Sequence, residues 1–125
     1  MNVRQFTKQD YYIICEWWYN HNWTPPMIDM LPSTGFVVDN FCAGFLYKTD
    51  SELAWLEFII SNPKSDKNDR NKALDLLINK LIEQAKELKF KVIFTSVEHK
   101  KLLERYKDHG FVETDKSMTN MIKRL

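Results

Sequence analysis

The chain has 125 residues, enough for one domain with one core and too few for a multidomain machine or a long repeat array. With 44% hydrophobic, 14% aromatic and 28% charged residues, intrinsic disorder is excluded. The net charge of +1 conceals an asymmetry, −4 over residues 1–63 and +5 over the remainder. Two halves facing one cleft would hold an anionic ligand on the carboxyl-terminal side and tolerate a cation on the other; two solvated surfaces are the alternative. No apolar run reaches the roughly 18 to 20 residues that cross a bilayer. The polar start Met1–Thr7 does not read as a signal sequence, so the expected location is the cytosol. Cys15 and Cys42 lack metal-ligand spacing and read as buried thiols, with no metal site.

Val3–Phe6 reads as a short strand, and Thr7 to Asp10 has the form of a capping box that opens a helix over residues 8–21. Ile13, Ile14, Trp17, Trp18 and His21 recur there at helical spacing. Pro25 and Pro26 break that pattern and lead into a short turn through Met27, Ile28 and Leu31. Gly35–Asp39 and Phe41–Tyr47 predict a hairpin, and Leu53–Ser61, apolar on both faces except at Glu57, predicts a central strand. Asn62 to Asn71 reads as a polar loop before a helix striped by Leu74, Leu77, Leu81, Ala85 and Leu88. A strand at Lys91–Val97, a helix from His99 to Asp108 stopped at Gly110, and strands at Phe111–Val112 and Ser117–Lys123 complete a mixed α/β order.

A buried strand, a polar loop and a helix amino terminus make an anion cradle, because the first helical amides lack internal partners and sit at the positive end of the dipole. Lys67, Arg70 and Lys72 add positive charge there; a solvated charged loop is the alternative.

The run Leu56–Pro63, the basic loop, the leucine-striped helix, the next strand and then Val97–Phe111 resemble a GNAT-type N-acetyltransferase. That family closes its fourth long helix on a Tyr-Glu/Asp-Lys-x-Gly-Phe pattern, written here Tyr106-Lys-Asp-His-Gly-Phe111. The likeness in element order covers nearly the whole chain, and at motif level it covers about residues 53–112. The stretch with Glu16-Trp17-Trp18 and Trp23-Thr24-Pro25-Pro26 resembles the compact acetyltransferases carried by bacteriophages. The resemblance implies one α/β domain over residues 1–125, with a mixed, mostly antiparallel sheet and helices on both faces.

It also implies acetyl-coenzyme A as cosubstrate, in a V-shaped split between the fourth and fifth strands. The pyrophosphate would be held by amides of a loop written Gln/Arg-x-x-Gly-x-Gly/Ala. The best register here is Asn68-Asp69-Arg70-Asn71-Lys72-Ala73, with Asn71 for the first glycine, Asn68 for the arginine or glutamine, and a loop about two residues longer after Pro63. Asparagine tolerates the left-handed conformation better than other non-glycine residues. The expectation is therefore that main-chain donors preceding Ala73, from Lys67 onward, hold a diphosphate. Backbone groups of Ile59, Ile60 and Ser61 would bind the pantetheine and polarise the acetyl carbonyl. His99 stands where the family has an asparagine on the pantetheine arm, or it is an exposed helix cap.

Tyr106 corresponds to the tyrosine that protonates the departing thiolate, as a phenol with a reference pKa of about 10 can; a core ring at a helix end is the alternative. Glu57 is the candidate base that takes a proton from an ammonium, or else a salt-bridged or rim-exposed glutamate. Trp17, Trp18, Trp23, Met27 and Met30 either wall an acceptor pocket or belong to the core. Neither cysteine has an activating histidine, so the expected reaction is direct acetyl transfer to a primary amine, of a small molecule or a protein, in a ternary complex. The rival is a catalytically silent module of the same fold that binds a host protein, motivated by the glycine-free loop. Nucleic-acid binding through Lys86, Lys89, Lys91, Lys100, Lys101, Arg105 and Lys107 is disfavoured because Glu87, Glu98 and Glu104 interrupt the set. No membrane partner is expected, and a homodimer is left open.

Overall fold

A computed structural model describes residues 1–125. Five strands pair in chain order: β1 (Val3–Gln5), β2 (Gly35–Val38), β3 (Cys42–Tyr47), β4 (Leu53–Ser61) and β5 (Val92–Thr95). The first four are antiparallel. β4 and β5 run parallel and are joined through the long helix α2 (Lys67–Glu87), since parallel neighbours need a crossover. Helices α1 (Tyr11–Asn20) and α3 (Lys100–Asp108) complete the expected mixed sheet with helices on both faces.

The alternation along each strand assigns the faces. Val37, Ala43, Phe45 and Ile60 turn toward α1 and pack with Phe6, Ile14, Trp17 and Trp18. Phe36, Val38, Cys42, Leu46, Ala54 and Leu56 turn the other way and pack under Ala73, Leu77, Ile78, Leu81, Ala85 and Tyr106 of α2 and α3. The Thr7–Asp10 capping box forms: Asp10 accepts from the Thr7 amide at 2.8 Å and from Arg4 at 2.6 and 2.9 Å, fixing the entry from β1. Tyr11 donates its hydroxyl to the Pro26 carbonyl at 2.7 Å and ties down the segment after α1.

Two expectations are corrected. Helix α2 begins at Lys67 rather than after Asn71, because the Asp66 side chain caps it by accepting from the Asp69 amide at 2.9 Å. The strands expected at Phe111–Val112 and Ser117–Lys123 are absent, and β5 is the sheet edge. Met118, Met121, Ile122 and Leu125 do not alternate, so no one face of a strand would collect them, and all four are exposed.

Candidate active site

The sheet opens where β4 loses its second neighbour. β4 and β5 pair from Leu53↔Val92 to Leu56↔Thr95, and there β5 ends. The remaining stretch of β4, Glu57 to Ser61, keeps β3 on one side and has no strand on the other. On the β3 side the register slips, Phe45 facing Glu57 but Ala43 facing Ile60, so Gly44 alone opposes Phe58 and Ile59. Phe58 carries the bulge with φ of 58°, a left-handed conformation that costs a bulky residue roughly 1 to 2 kcal/mol. The bulge shifts the alternation by one: Trp55 and Glu57 share a face, and Phe58 joins them rather than crossing to the α2 side.

Chemistry-bearing side chains gather at this opening. Thr95, the last residue of β5, donates its hydroxyl to the Leu56 carbonyl at 2.7 Å and pins the point of divergence. Tyr106 of α3 is buried on the α2 face of the sheet. Burial pushes that phenol well above its ordinary pKa, against the lowering effect of Thr95 and with an added push from the Glu57 charge, so it stays protonated. Glu57 lies half-buried on the opposite, α1 face. Burial raises its carboxyl above the usual range, opposed by hydrogen bonds from the Trp55 indole at 3.1 Å and the Phe58 amide at 3.4 Å. A carboxyl on one face and a phenol on the other thus sense each other electrostatically across an unpaired strand edge.

Of the other strand residues, Ile59 packs toward α2 and Ile60 is buried toward α1. The Ser61 carbonyl accepts from His21 Nε2 at 2.9 Å. His21, which the sequence placed only on a helix face, is the cap of α1 and stacks on Trp23 at 4.4 Å. His99 is the exposed N-cap residue of α3, with no capping side-chain bond.

The expected phosphate loop is corrected in detail. Asn68-Asp69-Arg70-Asn71-Lys72-Ala73 forms the first turns of α2, not a loop. The Asp69 and Arg70 amides are taken by Asp66, and those of Asn71, Lys72 and Ala73 lie within the helical ladder. The Arg70 guanidinium folds back on the carbonyls of Ser65 at 2.8 Å and Asn62 at 3.4 Å. Ala73 is buried in the core. Asn71 is drawn toward α3, where Arg105 donates to its side-chain oxygen at 2.9 Å and its carbonyl at 3.1 Å. Only the Lys67 and Asn68 amides of this run donate to no protein group, with exposed Lys67 and Lys72 beside them.

Trp17 and Trp18 belong to the core, Trp23 and Met27 are exposed, and Met30 lines a recess. Its other walls, Tyr47, Trp55, Phe58 and Glu57, escaped the reading of the sequence, apart from Glu57 itself. The available signal was the period of two that puts Trp55 on the face of Glu57. Cys42 is buried with its thiol pushed up to about 12, too high for a nucleophile, and no histidine bonds either cysteine.

No protein-family model matches this sequence, and no curated protein does. Solved structures match its fold. They include the ribosomal-protein-S18-alanine N-acetyltransferase from Escherichia coli, with a TM-score of 0.74 at 13% identity over 91% of this chain and 79% of that one. Rv2747 from Mycobacterium tuberculosis, in complex with CoA and NLQ, gives 0.73 at 15% over 96% and 76%. The GNAT-family acetyltransferase SP0256 from Streptococcus pneumoniae gives 0.67 at 15% over 98% and 96%. The chain therefore has the α/β fold of GNAT acetyltransferases.

Proposed function

We propose that the chain transfers an acetyl group from acetyl-coenzyme A to a primary amine, directly and in a ternary complex. The observation that carries this reading is the bulged, unpaired edge of β4 opposite the end of β5, with a protonated phenol on one face and a carboxylate on the other. An open strand edge fits an extended amide-bearing arm, because its backbone groups lack a strand partner. The coenzyme supplies an activated thioester acetyl. On this reading the edge at Ile59, Ile60 and Ser61 orients the arm, with His99 at the mouth of the split. Glu57 takes a proton from the ammonium, and the Tyr106 phenol holds the proton that a leaving sulfur needs. Both cysteines are excluded as covalent carriers by burial, which leaves direct transfer. The diphosphate would meet the Lys67 and Asn68 amides and the charges of Lys67 and Lys72, with Asp69, Arg70, Asn71 and Ala73 supporting that turn from within the helix. The acceptor is a small-molecule or protein amine, and the site of action is cytosolic.

One observation favours a second reading, a silent module of the same fold that binds a host protein: the α2 amino terminus is already capped by Asp66 and its loop carbonyls are held by Arg70. Titration calorimetry separates the two. Saturable heat with acetyl-coenzyme A in the micromolar range is expected of the enzyme, and none at high micromolar concentration leaves the silent module. In assays of thiol release with a primary-amine panel, Tyr106→Phe should lower the rate by roughly 10²-fold. An unchanged rate removes Tyr106 from its role.

A further inference from the structure

We infer that the recess between Met30, Tyr47, Trp55, Glu57 and Phe58 takes a hydrophobic monoamine: one primary ammonium on an aryl or alkyl body, with no second charged group. The inference rests on the transferase reading and names its acceptor. The recess is a shallow depression of about 430 Å³, widely open to solvent, and four of its five walls are apolar or aromatic. Its own polar groups are largely committed already. The Tyr47 hydroxyl donates to the Met30 carbonyl at 2.5 Å, and the Trp55 indole to Glu57 at 3.1 Å.

Glu57 is different. It makes no ion pair, so its charge is uncompensated, and its two bonded donors leave lone-pair capacity on the carboxylate. A primary ammonium matches that vacancy with three donors, and the flanking rings of Trp55, Phe58 and Tyr47 attract a cation through their faces. Trp55 is held for this by its contact with Phe94, ring centroids 4.7 Å apart. A second cation on the ligand would rest on carbon with no partner, and a ligand carboxylate would meet Glu57 as a like charge. The bulge at Phe58 brings aromatic surface beside the one carboxylate, at the same stretch of β4 whose edge is open.

Calorimetry on the full chain without coenzyme tests this with 2-phenylethylamine, spermidine, phenylalanine and phenylacetate. Phenylethylamine should bind at least about ten-fold more tightly than the other three. Glu57→Gln should weaken it about ten-fold while the chain still unfolds in one cooperative transition. Met30→Lys, at the end of the short 3-10 turn Ile28–Met30, should weaken it likewise by repulsion. Equal binding of spermidine or phenylacetate, or undiminished binding in both variants, overturns the assignment. Thiol release with acetyl-coenzyme A keeps the two readings apart. Phenylethylamine bound in this way with no thiol released on any of the amines overturns the transferase and supports the recess. Thiol released on spermidine but not on phenylethylamine supports the transferase and overturns the recess.

Discussion

The two ends of the candidate cleft are built in opposite ways. At the β4–β5 end the backbone is left unpaired by a bulge and an early strand end, while the side chains around it, Thr95, Tyr106, Trp55 and Glu57, are held in place by hydrogen bonds and burial. At the α2 end the side chains have closed on the backbone, since Asp66 takes the Asp69 amide and Arg70 takes the loop carbonyls. A site for a neutral amide arm and a site for a dianion both need free main-chain groups, and only the first end leaves a stretch of strand edge with no strand partner. The comparison locates any loss of function in a few residues of one turn rather than in the fold.

The largest expected effect is at the first end. Gly44 stands alone opposite the two bulge residues, and a Cβ there would lie 3.0 Å from Ile59 Cγ1 and 3.2 Å from Leu77 and Leu81. Gly44→Ala should destabilise the chain by about 1 to 3 kcal/mol through overpacking, read by denaturant unfolding. Thiol release should fall more than the folded fraction does, since Ile59 is pushed at the strand edge. If stability falls and the rate per folded molecule does not, the bulge is packing and not site.

An intermediate effect tests the second end. Asp66→Ser keeps a good N-cap and removes the negative charge at the helix start, so stability should change by less than about 1 kcal/mol. Coenzyme affinity by calorimetry should tighten several-fold, because a like charge beside the diphosphate is gone. Unchanged affinity would mean that the diphosphate does not approach this turn.

The same contrast explains what could be read from the sequence. β4 declares itself by a continuous apolar run and α2 by its apolar stripe, and the Thr7–Asp10 capping box by its residue types. The start of α2 was hidden because its first turns are wholly polar and the apolar stripe begins only at Ala73 and Leu74, so Asp66 as a cap was the one sign. The recess was hidden by the bulge. Strict alternation puts Phe58 opposite Glu57, and only a positive φ at a bulky residue, which composition does not announce, brings the two together. The tail beyond Phe111 misled by its apolar content, whose spacing fits no strand face.

The smallest effect compares two carboxylates shifted in opposite directions, one at the open edge and one on α2 about two turns beyond its start. Burial raises the folded pKa of Glu57 above its unfolded value, so its contribution favours the fold at low pH and is lost as pH rises through the folded value. Asp75, on α2, is pushed up by burial, but hydrogen bonds from His109 and Arg105, each 2.9 Å long, outweigh this and hold it below the usual carboxylate range. Its contribution is present above the unfolded pKa and is lost as pH falls through the folded one. Asp75 is half exposed, so solvent screening keeps the effect below about 1 kcal/mol. Denaturant midpoints measured across the acid range should show Asp75→Asn flattening the loss of stability toward low pH, and Glu57→Gln removing a loss that begins at the ordinary carboxylate pKa and is complete above the raised folded value. The rate of acetyl transfer should rise through the raised folded value, because Glu57 accepts a proton only when ionised; a rate limb at the ordinary carboxylate pKa would assign the base to another group.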